Sequence, residues 1–187
     1  MLFYFIFLGV FAARKVMDQR LSNKNIRKLE ATRNILPNRD TALAWLKITH
    51  IVFFVMTPAE IILLKRTFIP SLGISMAILF LLATLLRQWS TRLLSAQWNS
   101  KVVIPRDLYP VSTGPYRAVR HPNYLAMSLE LLSASLMYSA FISAATVGVL
   151  NLYAVIKRIH AEEEVLFQVP AYRRTMEGKA RLIPGIY

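Results

Sequence analysis

The sequence predicts an all-α integral membrane protein, a bundle of about five transmembrane helices with a helical hairpin near the C-terminus. Three observations predict it. Hydrophobic residues make up 55% of the chain and the mean hydropathy is +0.41, with the apolar residues gathered in blocks, as membrane chains require. Net charge is +13, yet the basic residues flank the apolar blocks and form no nucleic-acid motif, so a nucleic-acid partner is not expected. The length, 187 residues, suits one domain over 1–187.

Residues 2–13 are apolar and are followed by Arg14 and Lys15. A cleaved signal peptide carries its positive charge before the apolar run. The segment therefore reads as an uncleaved first span, with the two cations snorkelling at its cytoplasmic end. Residues 16–40 are polar and basic, a loop with room for an amphipathic surface helix, closing on Pro37, Asn38, Arg39 and Asp40. Residues 45–64 form the second span, interrupted by Pro58 and Glu60. Lys65 and Arg66 close it, and Pro70 opens a third span over roughly 72–86. As one helix, residues 125–156 would run ~48 Å, against a hydrocarbon core of ~30 Å. Two helices meeting near Tyr138 and Ser139 fit better. Small residues there (Ser133, Ala134, Ser135, Ala140, Ser143, Ala144 and Ala145) suit close helix packing. The remainder, 157–187, reads as a charged tail.

Charge then sets the orientation. With the N-terminus outside, the basic segments 14–40, 87–124 and 157–187 are cytoplasmic and hold all of the 23 Lys and Arg except Lys47, Lys65 and Arg66. This brings the polar segment before the fourth span and the C-terminal tail to one side of the membrane.

That polar segment ends in GPYRAVRHPNY, residues 114–124. Gly-Pro is a turn signal and His-Pro resets the chain before a helix. Free donors around His121, Asn123 and Tyr124 at the positive end of a helix dipole would seat an anion or a polar cofactor. An interfacial belt of Tyr and Arg anchoring the helix end fits the same residues. In the tail, Arg158 and Glu162 stand one turn apart, either as a solvated ion pair or as part of a site. Three acids in a row, Glu162, Glu163 and Glu164, are unusual beside anionic headgroups. Glu130 lies inside the fourth span on nearly the same helical face as Asn123, a functional candidate or a packed, protonated carboxyl. Glu60 beside Pro58 is a weaker case of the same kind.

Other chemistries are excluded. The chain has no cysteine, hence no disulfide, thiolate nucleophile or cysteine-based metal site. Its glycines form neither GxGxxG nor a P-loop, and no HExxH or GxSxG occurs. His50, His121 and His160 lack metal-ligand spacing, so no metal is expected.

The GPYRAVRHPNY run, the helical hairpin after it, the Arg158…Glu162-Glu163-Glu164 cluster and Tyr172…Arg181-Leu182-Ile183-Pro184 resemble the isoprenylcysteine carboxyl methyltransferase family over about 98–187. The resemblance implies an integral membrane methyltransferase that uses S-adenosylmethionine without a Rossmann domain, its cofactor site within 98–187. It implies cofactor contacts from Tyr116 and from His121, Pro122, Asn123 and Tyr124. Leu108, Tyr109, Pro110 and Val111 occupy the place of a His-x-Leu-Val stretch that closes over the cofactor in the family, and Lys101 falls at a polar contact. Arg158 and Glu162 match the arginine and glutamate at the junction of cofactor and acceptor, as catalytic residues. Glu162 would also hold the cofactor's cationic part, and Arg158, with Glu130, would face the acceptor. The acceptor would be lipophilic, a prenylated carboxylate or the phenol or enol of a membrane-resident lipid. The longer pattern WNSKVV…VSTGPYRAVRHPNYLAMSLE is most similar to bacterial members associated with polyketide lipids. Two other classes share features of the chain. Sterol-reductase-like oxidoreductases have a similar RHPNY core and a C-terminal end echoed by residues 184–187, and a non-catalytic scaffold or lipid-binding protein would use the arginines and tyrosines only as anchors.

Overall fold

The computed structural model describes residues 1–32, 34–36 and 42–185. The closing residues of the first polar segment, 37–40, and the last two of the reductase-like end, Ile186 and Tyr187, lie outside them. The described chain is helical: α1 (Leu2–Ala31), α2 (Leu43–Leu63), α3 (Pro70–Leu94), α4 (Pro122–Leu136), α5 (Phe141–Leu166) and α6 (Pro170–Met176), with short 3-10 turns at Ser95–Gln97 and Gly114–Arg117. Among the described residues the extended chain makes only two isolated bridges, Ile35 to Pro105 and Val119 to Ala180. Three stretches, Leu43–Leu63, Pro70–Gln97 and Phe141–Leu166, are long and apolar enough to cross a membrane.

Prolines start four elements where a missing N–H costs nothing: Pro70 in α3, Pro115 in the second 3-10 turn, Pro122 in α4 and Pro170 in α6. Pro58 sits inside α2, where it supplies no N–H to the ladder. The expected break near Tyr138 and Ser139 is present, with Ser139 in the left-handed region at φ 57° between α4 and α5. Six of the seven small residues expected to pack there are buried, and Ala145 is exposed.

Glu60 explains how α5 begins. Its carboxylate accepts from the Ser143 backbone N–H at 2.6 Å, the Ser143 hydroxyl at 2.6 Å and the Ile142 N–H at 3.2 Å, and Arg66 Nε donates to it at 3.0 Å. A carboxylate from α2 thus satisfies the donors and the dipole at the start of a neighbouring helix.

α3 packs along α4 and α2 along α5, and α4 and α5 close the hairpin. Tyr4, Leu8 and Phe11 of α1, Phe53 and Ile61 of α2 and Leu131 and Ala134 of α4 form the main core. Phe11 meets Phe53 and Phe80 edge-on, at ring centroids of 5.8 and 5.1 Å, an arrangement that aligns aromatic quadrupoles favourably. Outward faces stay apolar: Ile48, Ile51 and Val55 on α2, Ile74, Ile78, Leu81 and Leu85 on α3, Val149 and Leu152 on α5 are all exposed. In water such a belt would aggregate; in hydrocarbon it is the favourable surface.

The first helix departs from expectation in two ways. α1 does not stop near Ala13 but continues to Ala31. Arg14 and Lys15 do not snorkel outward either. Arg14 Nη2 lies 3.0 Å and Lys15 Nζ 2.9 Å from the fully buried carboxylate of Glu130, which also receives Arg87 Nη1 at 3.0 Å and the Thr84 hydroxyl at 3.1 Å. Arg87 in turn reaches Asp18 at 2.8 Å. A carboxylate on a neighbouring helix satisfies the cations inside the bundle, so the helix has no reason to end there.

Candidate active site

The polar segment between α3 and α4 folds over the ends of α5 and α6. Val102, Ile104, Tyr116, Val165, Leu166, Tyr172 and Met176 make a second small core that supports it. Gly114 turns the chain with φ +56°, and a Cβ there would stand 2.7 Å from Leu93 Cδ1 and 3.0 Å from Trp89 Cζ2. Both the positive φ and the close approach require glycine. Gly114→Ala is therefore expected to lower stability by about 1–3 kcal/mol, read as a fall in the thermal midpoint of the detergent-solubilised protein.

The C-terminal stretch locks the motif in place. Backbone N–H groups of Arg120 and His121 donate to the carbonyls of Ala180 and Arg181, each at 2.9 Å. Glu163 sits beneath, 5% exposed, with His121 Nε2 and Arg120 Nε at 3.0 Å and Arg181 Nε at 2.9 Å. His121 is thus already engaged by a carboxylate, which orients its ring.

The result is a cleft that encloses about 810 Å³ including its open mouth. Lys101, Leu108, Tyr109, Pro110, Val111, Tyr116, His121, Asn123, Tyr124 and Glu162 all line it. Three singled-out residues do not. Pro122 is buried at the first turn of α4, Glu130 belongs to the ionic cluster with α1 and α3, and Arg158 lies behind Tyr124. Arg158 is 1% exposed and donates through Nε to the Tyr124 hydroxyl at 2.9 Å and through Nη2 to the Ser100 carbonyl at 2.8 Å. The Tyr124 hydroxyl donates to Glu162 at 2.6 Å. Guanidinium, phenol and carboxylate therefore form one chain, with Tyr124 in the middle and 5.7 Å from the His121 ring.

Tyr116 and Tyr172, two further phenols of the cleft, stay protonated. Burial first, then the negative charge of Glu162, then Tyr172, raises Tyr116; burial, Glu162 and Glu163 raise Tyr172. Both remain donors at neutral pH. The Lys179 ammonium, lowered by burial, donates to the Tyr116 carbonyl at 2.7 Å.

A second cavity opens between α1, α2, α4 and Arg87 of α3 and shares Trp98, Asn99, Asn123 and Tyr124 with the cleft. Its walls are largely apolar, from Leu43, Leu46, Ile51, Phe54 and Met127, while Lys15, Asp18, Lys47, His50 and Arg87 supply its charged and polar groups. Reading by sequence missed this cavity, and also missed Glu163, Arg120 and Arg181 as the clamp on His121. Helical phase could have separated Glu162 from Glu163, but nothing local ties α1 to the site. Among the described residues no group of three or more His, Cys, Asp or Glu could hold a metal.

An all-helical membrane protein with a polar cleft at one end of its bundle, open to an apolar cavity, defines the class. Residues 76–168, from within α3 to the end of α5, match the isoprenylcysteine carboxyl methyltransferase (ICMT) family, and through this segment the chain belongs to that family. It is thus a membrane methyltransferase by family. It is also 26% identical over 166 residues, 87% of this chain and 96% of the relative, to the uncharacterized protein YpbQ of Bacillus subtilis strain 168.

Proposed function

We propose that the protein is an S-adenosylmethionine-dependent O-methyltransferase acting on a lipophilic acceptor, with the cofactor in the cleft and the acceptor in the second cavity. The observation that carries this reading is the meeting of the two at Trp98, Asn99, Asn123 and Tyr124. A transfer between two bound molecules needs donor and acceptor held in line, and alignment provides much of the rate.

The residues present suit the cofactor. Gln97 Oε1 and Asn123 Oδ1 are buried without a hydrogen-bond partner, and both residues line the cleft. Carbonyl oxygens in that state call for donors or a nearby positive centre, which the ammonium, hydroxyls and sulfonium of S-adenosylmethionine supply. Glu162 adds a carboxylate, and Lys101, Leu108, Tyr109, Pro110 and Val111 line the same cleft. The cofactor provides an activated methyl group on a positive sulfur. The protein's own part is to orient it, to exclude water from a cavity with apolar walls, and to hold the acceptor oxygen near Tyr124.

Arg158 does not stand in either cavity; it fixes Tyr124, and Glu162 receives the Tyr124 hydrogen. The acceptor oxygen is that of a carboxylate or of a phenol or enol. The distribution of the basic segments supports a cytoplasmic cleft with the N-terminus outside. In keeping with this, Met1 lies at the opposite end of the bundle from the cleft, its ammonium donating to the Tyr138 hydroxyl at 2.8 Å.

The test is calorimetric titration of the detergent-purified protein with S-adenosylmethionine, with NADPH as control. Saturable binding of the sulfonium alone supports the reading. Binding of NADPH alone would replace it with a reductase, and binding of neither with a scaffold.

A further inference from the structure

We propose that His50 is the proton acceptor of this reaction. The inference rests on the methyltransferase reading and on an acceptor that carries an acidic hydroxyl.

His50 lies on α2 and lines the second cavity. Its Nδ1 is 2.7 Å from the Leu46 carbonyl oxygen. A carbonyl can only accept, so Nδ1 carries the hydrogen and the neutral ring presents Nε2 as a lone pair. Leu46 packs in one cluster with Met127 and, at its edge, Tyr124. His50 is one helical turn further into the bundle, ~5.4 Å along the axis. It lines the same cavity that meets the cleft at Trp98, Asn99, Asn123 and Tyr124.

The surrounding charges favour an oxyanion. Lys15 and Asp18 face the cavity from α1, Lys47 from α2 and Arg87 from α3, three cations against one carboxylate, while Glu130 of α4 is bonded to Lys15 and Arg87 from behind. Arg87 is 7% exposed, and its Nε is buried with no hydrogen-bond partner. A buried guanidinium N–H left without a partner, on a residue that lines the cavity, is a donor that a small side-chain rotation could offer to an acceptor oxygen.

The other candidate bases are spent elsewhere. Glu162 and His121 line the cleft and not the second cavity. Glu162 already accepts from Tyr124, and His121 Nε2 is paired with Glu163. Asp18 is ion-paired to Arg87. His50 Nε2 is the basic lone pair left among the groups lining the second cavity.

The step balances without a further reagent. The acceptor oxygen gains the methyl group, the carbon–sulfur bond breaks with its electron pair left on sulfur, and the hydroxyl hydrogen moves to Nε2. A sulfonium and a neutral imidazole become a thioether and an imidazolium, so the net charge inside the bundle is unchanged. Lys15 and Arg87 stabilise the oxygen as it loses its hydrogen.

The test needs no cofactor. A para-nitrophenol bearing a dodecyl chain is added to the purified full-length protein at a pH below the probe's own pKa, and binding is followed by quenching of the fluorescence of Trp98, which lines both cavities. Wild type is expected to bind it with the absorbance of the nitrophenolate. His50→Gln, which keeps an acceptor oxygen but cannot hold the proton, is expected to bind the probe in its neutral form. In the same variant, methyl transfer to meta-pentadecylphenol should fall by about 10²-fold or more. A nitrophenolate band unchanged in His50→Gln, a wild-type protein that binds only neutral probe, or one that does not bind it, would overturn the assignment. A wild type that shows the band but transfers no methyl would keep His50 as proton acceptor and count against the methyltransferase reading instead.

Discussion

Replacing Glu162 by alanine is expected to lower kcat/KM for methyl transfer by at least about 10²-fold and to leave the fold intact. The carboxylate is partly exposed where it lines the cleft, so little packing is lost. What is lost is the acceptor of the Tyr124 hydroxyl, bonded at 2.6 Å. Tyr124 lines both cavities, and buried Arg158 holds the same oxygen at 2.9 Å. Without Glu162 the phenol keeps only its bond from Arg158 and must find another acceptor, which moves it away from the junction. A shift of ~1 Å at such a point can cost on the order of 10²-fold. The negative charge that would face a cationic cofactor disappears as well. Glu164→Ala is the control, because Glu164 is exposed and does not line the cleft. Equal rates for wild type and Glu162→Ala in a radiolabelled-methyl assay would return Glu162 to a surface role.

The largest loss of stability is expected from Glu130→Gln, about 3–5 kcal/mol. The side chain is 0% exposed and is ion-paired with Arg14, Lys15 and Arg87 within 3.0 Å. The amide keeps the shape and removes the charge, leaving three cations from two helices against Asp18. Their repulsion, in a region where water is scarce, is what destabilises the variant. Adding Lys15→Met should recover part of the loss, since it removes one uncompensated cation. Denaturant titration in detergent reads both effects. An unchanged midpoint in Glu130→Gln would mean that the cluster is hydrated and contributes little.

Glu130 also shows where reading by sequence stops. A carboxyl inside an apolar run marks a site or a packed structural group, and both readings fit the same local pattern. Its partners are 115 or 116 positions away on α1 and 43 away on α3. No periodicity links them. The extension of α1 past Arg14 was hidden for the same reason. Two cations after an apolar run read as a membrane boundary unless a neighbouring helix offers a counter-charge. Glu60 is a parallel case: what looked like a stray acid beside a proline caps α5 across the bundle, 83 positions from Ser143.

The cleft, by contrast, was legible. Ten of the residues named from the motif and its flanks line it together, because they come from one short segment and one turn of α5. Turn chemistry, a proline at a helix start and the resemblance act over a few residues, and local geometry follows from them.

By itself, then, the sequence determined the helical membrane class, the break between α4 and α5 and the composition of the GPYRAVRHPNY segment. Apolar blocks, prolines and glycines act on their own neighbours, so these could be read directly. Only the tertiary structure decided which charges pair inside the bundle, that Glu163 and not Glu162 clamps His121, and that His50 faces a cavity joined to the cleft. Each of those depends on the rotation and depth of one helix against another, which packing of all the helices sets together.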